Sequence, residues 1–579
     1  MFADMNVSNA TYHHPTPWDA EFECLTLPQM FERTVRRDPA APFLHFLGRT
    51  YDYQAIYTEA RRFAAGLIAS GIKKGDRVGL FLPNVPIYAS AYYGAMMAGA
   101  VVVNFSPLYT VEELAWQVED SGTRLLVTVD VAELCHTATA VLEQSALETL
   151  VVGSLGSMLP WYKGVALKIL GRSKIAVPQW SAQTRRWDDV LGDWNWQQWL
   201  DGQSPNLPSL DAAKDIALLQ YTGGTTGKPK GAMLGHSQLS INAQQVAAIN
   251  PYDNPSDDVM MGALPFFHVF ANTSLLNHAV ASGASIAMVP RFDAGQVLQT
   301  IAKYKTTGFP GVPTMFQALL DHPDIAKTDL SSLKVCISGG APMPAPVHAK
   351  FEEVTGVRVV EGYGLTESSG VVSVNPYEGT RKKGTIGQLI ARTEIMLVDK
   401  EDPTLVVPDG EPGELIIHGP QIMQGYWNRP ETDADVFVEH DGKKWLRTGD
   451  VATVDAEGFL SIVDRIKDMI AVGGFKVFPS QVEDVILEHE AVKEALVIGV
   501  PNDYLGEMPR VYITLEQGPE QGSDDSGEEG GNVTAEALAQ WLNGRVGKHE
   551  RVDQVVIRDD LPKTLVGKLD RKALRAEVL

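Results

Sequence analysis

No charged residue occurs between Arg77 and Glu112, and that gap constrains the fold more than any other feature of the chain. A run of this length is long enough to cross a bilayer. However, Pro83, Asn84, Pro86, Gly99, Asn104 and Pro107 cut it into pieces too short to span hydrocarbon. The pieces read as a strand near 78–81, a helix near 87–98 and a strand near 101–105, the unit of a sheet buried on both faces. Similar apolar runs at 125–129, 284–289 and 334–337 predict several layers of parallel sheet over the first three-quarters of the chain. From Gly458 onward the pattern changes to short strands at 459–463, 469–472 and 476–478, the last two joined by a Gly473-Gly474 turn. A helix carrying Val482, Val485, Ile486 and His489 follows, and the spacing predicts a compact α+β unit. A chain of 579 residues exceeds one ordinary core, so two or more domains are expected.

A formal net charge of -23 argues against broad nucleic-acid binding, which draws on Lys and Arg to neutralise phosphates. Cys24, Cys135 and Cys336 are far apart and form no C-x-x-C pair, so neither a disulfide framework nor a zinc site is indicated. The polar start, with His13, His14 and Pro15, lacks the plan of a signal peptide, and a reducing, cytoplasmic setting is expected. Residues 149–187 contain no Asp or Glu but carry Lys163, Lys168, Arg172, Lys174, Arg185 and Arg186 among Trp161, Tyr162, Leu167, Ile169 and Leu170. On a helical wheel the two kinds do not separate cleanly, so the segment reads either as a surface excursion over the sheet or as a patch resting peripherally on anionic lipid. Residues 517–532 hold nothing that is readily buried and read as a surface loop.

The most informative run is Tyr221-Thr222-Gly223-Gly224-Thr225-Thr226-Gly227-Lys228-Pro229-Lys230-Gly231. Glycines let backbone N–H groups converge on an anion, and Thr222, Thr225, Thr226 and Lys230 add donors for phosphate oxygens. An apolar strand at 216–220 is expected to hold the loop at a sheet edge, and Pro229 after Gly227-Lys228 departs from a Walker A register. Further along come Ser338-Gly339-Gly340-Ala341, Glu361-Gly362-Tyr363-Gly364-Leu365-Thr366-Glu367, Arg447-Thr448-Gly449-Asp450, Asp464-Arg465-Ile466-Lys467-Asp468 and Pro562-Lys563-Thr564-Leu565-Val566-Gly567-Lys568. Each has a bland reading on its own: a glycine turn, a helix start, a turn aspartate, a solvated charged turn and a solubilising lysine.

Taken in order, these motifs resemble the signature set of the acyl-adenylate-forming superfamily over about residues 31–572. The resemblance implies an α/β fold. A large N-terminal domain over 1–463 would hold stacked, mostly parallel sheets with helices plus a small distorted barrel, and a small mobile α+β domain over 464–579 would follow. It implies that the 222–230 loop cradles ATP and that Gly339, Gly340, Ala341, Glu361, Gly362, Tyr363 and Gly364 line the adenine pocket. Thr366 would meet the α-phosphate, Glu367 a magnesium ion and Asp450 the ribose. It further makes Asp464 the hinge, Arg465 a ribose or phosphate contact, Lys568 the catalytic lysine and His268 a gate beside the reacting carboxyl. Gly473 and Gly474 would line the path of coenzyme A. The runs at 107–110, 220–224 and 373–377 look most like bacterial long-chain fatty-acyl-CoA synthetases, which implies a fatty-acid substrate. An aryl-CoA ligase of the coumarate type, transfer to carrier protein and a silent lipid-binding scaffold remain as alternatives. Chain length and oligomeric state, a homodimer included, stay open.

Overall fold

The computed structural model describes residues 12–202, 207–222, 229–473, 475–502, 504–516, 533–564 and 567–579. Gly223, Gly224, Thr225, Thr226, Gly227 and Gly474, together with the expected loop at 517–532, lie outside the described residues.

The uncharged stretch folds as its punctuation predicts. Strands Arg77–Phe81 and Val101–Phe105 flank helix Pro86–Met97, in which every residue is buried. A helix apolar all round must be enclosed on all sides. Here two sheets enclose it. The Asn84 amide, at its start, donates to the carbonyls of Gly262 and Leu264 in one layer. The Tyr88 hydroxyl lies 2.7 Å from Asn104 Oδ1 in the other.

The first layer is an eight-stranded sheet. In spatial order its strands are Gly425–Tyr426, Lys230–Gly235, Ile216–Thr222, Val101–Phe105, Arg77–Phe81, Thr123–Val129, Thr149–Gly153 and Thr184–Arg186. It is parallel from Ile216–Thr222 to Thr184–Arg186. The second layer is a nine-stranded sheet, parallel from Val359–Tyr363 through Pro42–Phe46 and antiparallel at both ends. Two sequence expectations are corrected at this point. Strand Ile216–Thr222 is interior rather than at an edge, because the returning strand Lys230–Gly235 covers its outer side. The 149–187 segment is not wholly a surface excursion, because its two ends are paired strands of the sheet.

Where a small barrel is expected, the structure has an open five-stranded antiparallel sheet built on the long strand Lys443–Val454, which pairs with Gly413–His418, Phe437–His440 and Leu460–Arg465. Strand Leu460–Arg465, expected to open the C-terminal unit, therefore belongs to this sheet. The Asp455–Gly458 turn returns it directly onto Lys443–Val454, and local hairpin closure outweighs the change of pattern after it. Beyond it, Ile470–Val472, Phe475–Val477, Val492–Asn502, Gly506–Leu515 and Val555–Ile557 form a separate sheet. Its apolar clusters, built around Val482, Ile486, Val497 and Ile513 and around Leu496, Ile498 and Leu574, are distinct from the large core. The expected helix spans Pro479–Ile486 and stops short of His489. No helix among the described residues is long and apolar enough to cross a membrane.

Candidate active site

The described ends of the glycine–threonine run are set by backbone pairing: Thr222 stands opposite Lys230 in antiparallel strands. Tyr221, at its start, donates its hydroxyl to Asp120 Oδ2 at 2.7 Å, while Arg429 pairs with the other oxygen at 2.5 Å. This anchor was invisible in sequence, because its three members are far apart and of ordinary type.

The motifs expected to line an adenine pocket become neighbours by register. In parallel strands Val335–Gly339 and Val359–Tyr363, Ser338 aligns with Glu361 and Gly339 with Gly362. The Glu361 carboxylate is buried and accepts from the backbone amides of Met343 and Gly384, so its charge fixes the walls of the pocket. Burial pushes its pKa up. Gly364 has no room for a side chain, since a β-carbon there would fall 1.8 Å from the Gly370 carbonyl oxygen. Thr366 and Glu367 then begin a single 3₁₀ turn.

Glu367 has a partner that sequence reasoning missed. The Tyr426 hydroxyl donates to its Oε1 at 2.6 Å, and Lys230 Nζ lies 5.6 Å from the centre of the Tyr426 ring. Tyr426 arrives because strand Gly425–Tyr426 pairs with Lys230–Gly235. The only signal in sequence was the Gly425-Tyr426-Trp427 run itself. With Oε1 so held, the second carboxylate oxygen is the one a cation would take. Among the described residues no group of three or more His, Cys, Asp or Glu forms a metal cage. A lone carboxylate suits magnesium, which keeps waters and substrate phosphates as its other ligands.

Asp450 and Arg465 face each other across the Lys443–Val454 and Leu460–Arg465 hairpin, with Arg465 Nε 3.1 Å from Asp450 Oδ1. Tyr363 donates to Asp450 Oδ2 at 2.5 Å, which ties the third motif to the second. Asp464 is buried, and its carboxylate accepts from the backbone amides of Arg465 and Ser480, bridging the strand to the helix that follows.

Lys568 comes from near the chain end and enters this cleft. A β-carbon built on Gly340 would lie 2.5 Å from Lys568 Cε and 2.7 Å from Nζ, so glycine there makes room for the lysine. Thr314 donates its hydroxyl to the Gly567 carbonyl at 2.7 Å and docks the loop. Burial and the neighbouring Arg465 push the Lys568 pKa down to about 8. His268 caps the short helix Val269–Ala271. Burial and the Lys568 charge hold its pKa down at about 3, so the ring is neutral. The whole forms one cleft of about 1840 Å³, lined by Thr222, Lys230, His268, Gly339, Gly340, Ala341, Glu361, Gly362, Tyr363, Gly364, Thr366, Glu367, Asp450, Asp464, Arg465 and Lys568. Gly473 is not among its walls. It sits exposed at φ 57° in the turn after Ile470–Val472, beside Leu505.

The chain matches the family model of the AMP-binding enzymes over residues 31–427 and that of the AMP-binding enzyme C-terminal domain over residues 481–568. A long-chain-fatty-acid–CoA ligase of Bacillus subtilis (strain 168) is 36% identical over 574 residues, covering 97% of this chain and 98% of that protein. A feruloyl-CoA synthase of Amycolatopsis sp is 33% identical over 545 residues, covering 94% and 97%. Among solved structures, ATP-bound MatB from Rhodopseudomonas palustris aligns with a TM-score of 0.79 at 26% identity, over 96% of this chain and 99% of that one. The anthranilate CoA ligase AuaEII in complex with anthranoyl-AMP gives 0.79 at 25% identity, over 97% and 98%. With its described motifs gathered on one cleft and both family models matched in order, the chain belongs to the AMP-binding family of acyl-adenylate-forming enzymes.

Proposed function

We propose that this chain is an AMP-forming acid–thiol ligase that activates a long-chain fatty acid and passes it to coenzyme A. The observation that carries the reading is the entry of Lys568 against Gly340, beside Arg465 and His268. A cation with no ion-pair partner among the described residues is suited to anions that arrive there.

In the first step the fatty-acid carboxylate oxygen attacks the α-phosphorus of ATP. A phosphorus–oxygen bond forms to the acid as the bond to pyrophosphate breaks, and pyrophosphate carries away the electron pair. The catalytic demand is to hold negative charge and align the two reactants. Lys568 bridges carboxylate and α-phosphate, Thr366 donates to the α-phosphate, and the 222–230 loop with Lys230 holds the outer phosphates. Asp450 accepts from the ribose hydroxyls, with Tyr363 and Arg465 fixing its two oxygens. Glu367, steadied by Tyr426, would hold magnesium, which supplies charge neutralisation at the phosphates. Neutral His268 closes the acyl side without adding charge.

In the second step the thiol of coenzyme A attacks the acyl carbon and AMP leaves. Residues 464–579 act as a mobile domain that turns about Asp464, withdrawing Lys568 and bringing Gly473 and Gly474 to the channel. Two exposed ion pairs, Lys493–Asp321 and Lys476–Glu401, tie this part to the large one. Such pairs are each worth about 0–1 kcal/mol, and the turn breaks them together with the Thr314–Gly567 hydrogen bond. The enzyme collects its acid at a lipid surface on the cytoplasmic side.

An aryl or oxygen-bearing acid is the second reading. Ser274 and His278 line the cleft, are buried, and have side-chain polar atoms with no partner among the described residues. Coenzyme A consumption across saturated acids of increasing length, with coumarate and ferulate alongside, separates the two. The long-chain reading expects kcat/KM to climb with chain length. Turnover confined to the aryl acids would overturn it.

A further inference from the structure

Helix Trp161–Leu170 is inverted relative to an ordinary surface helix. Gly164 faces inward against the Gly156 carbonyl, where a β-carbon would sit only 2.5 Å away, and Leu167 packs on the core. Trp161, Val165, Ile169 and Tyr162 fall within about 100° of arc on the opposite side, at 100° per residue. Their exposures are 81%, 49%, 69% and 54%, and Leu170 adds 85% at the helix end. Val177 and Trp180, further along the same segment, are also exposed, at 89% and 42%. A soluble protein rarely leaves so much contiguous apolar surface without a partner.

Cations surround that face. Lys168, Arg172 and Lys174 are exposed and make no ion pair among the described residues. Arg186 stacks 5.0 Å over the Trp180 ring. Lys163 instead donates to the Leu47 carbonyl at 2.8 Å and steadies the base of the helix. Further hydrogen bonds pin the turn before it, from Arg49 to the Ser157 carbonyl and from the Tyr51 hydroxyl to the Met158 carbonyl. The platform is thus anchored to the body and presents an apolar face with a basic rim. No Asp or Glu occurs from 149 to 187 in a chain of net charge -23, so this segment is opposite in sign to the whole, and Asp130 is the acidic group whose charge reaches Lys168. It also follows strand Thr149–Gly153 and precedes the edge strand Thr184–Arg186, at the other end of the sheet from strand Lys230–Gly235. Contact there leaves the nucleotide end of the sheet free.

We propose that the outward face of helix Trp161–Leu170, with the cations through Arg186, docks this protein on an anionic phospholipid bilayer. Aromatic and aliphatic side chains enter the boundary between headgroups and acyl chains while the basic rim meets lipid phosphates. An acidic protein surface has the charge but no apolar layer to receive Trp161, Ile169 and Leu170 together. The inference rests on the lipid-substrate reading only for its purpose, not for its geometry.

The test is flotation of the full chain with vesicles of equal parts phosphatidylcholine and phosphatidylglycerol, against vesicles of phosphatidylcholine alone. Binding is expected to the anionic vesicles only and to weaken as salt is raised. Ile169→Glu, and separately Lys168→Glu with Arg172→Glu, are each expected to weaken it about tenfold. Pyrophosphate release with a short, water-soluble acid is expected to be unchanged in both variants, because neither touches the cleft, and Val177→Glu provides a second apolar variant. Equal binding to neutral vesicles, no binding at low salt, or variants that bind like the parent would each overturn the proposal. So would a concentration-dependent dimer dissolved by Ile169→Glu, which would assign the face to a second copy. Loss of pyrophosphate release with every acid would overturn the ligase reading and leave vesicle binding as an independent result.

Discussion

Lys568, in the loop before helix Arg571–Val578, and Arg571, at the first residue of that helix, both carry their charge into the protein. Arg571 is fully engaged. It pairs with Asp468 at 3.2 Å and with Glu483 at 2.6 Å, and donates to the Val497 carbonyl at 2.9 Å. Arg575 adds a second cation on Asp468 at 3.2 Å. Lys568 makes no ion pair among the described residues and faces Gly340, with another cation, Arg465, as its charged neighbour. The Arg571 network holds the C-terminal unit to the segment after Asp464, whereas Lys568 is held ready at a cost in stability. Burial without a counter-ion is tolerated where an anionic substrate completes the site.

The largest effect that would test this contrast is on chemistry. Lys568→Ala is expected to lower acyl-adenylate formation about 10²–10³-fold, the scale of losing one transition-state charge contact. ATP–pyrophosphate exchange measures it. Thioester formation from a supplied acyl-adenylate should survive nearly intact, and equal loss of both half-reactions would break the proposed division of labour.

Next comes stability. Arg571→Met strands Asp468 and Glu483 and should destabilise the C-terminal unit by about 3 kcal/mol in denaturant unfolding, the lower end for breaking a buried pair. Lys568→Met should leave the midpoint unchanged or higher. If the two variants unfolded alike, the distinction between structural and functional cation would fail.

The smallest effect is on pH. With its pKa pushed down to about 8, Lys568 is protonated at pH 7 and loses its charge as pH rises through 8. The kcat/KM of adenylation should therefore fall above pH 8, by about tenfold per unit. Lys568→Arg, whose guanidinium keeps its proton, should abolish that alkaline limb whatever its absolute rate. Neutral His268, far below its ordinary pKa, should give no limb between pH 5 and 7.

Much of the site was legible because its recognition elements are short and linear. The uncharged stretch dictated strand, helix and strand, and Thr222 and Lys230 were already close along the chain. Glu361 through Glu367 form one continuous strand end and turn. The partners that fix these groups were not legible. Tyr426 reaches Glu367 only because a two-residue strand pairs with Lys230–Gly235, and Asp120 reaches Tyr221 and Arg429 only through the sheet. Each is an ordinary residue whose role arises from contact with a distant stretch. The exposed face of helix Trp161–Leu170 was half legible. Its composition was unusual, but which side faced out depended on the Gly164–Gly156 approach.

By itself, then, the amino-acid order determined the α/β class and the family, since backbone propensity, burial pattern and short motifs all act over a few neighbouring residues. The tertiary structure alone decided that strand Leu460–Arg465 stays with the five-stranded sheet, that Tyr363 and Arg465 share Asp450, and that Lys568 meets Gly340. The strand and Arg465 are placed by hairpin closure between neighbouring segments, whereas Tyr363 reaches Asp450 and Lys568 reaches Gly340 by packing between distant ones, where shape and charge are compared across space and no local signal carries the answer.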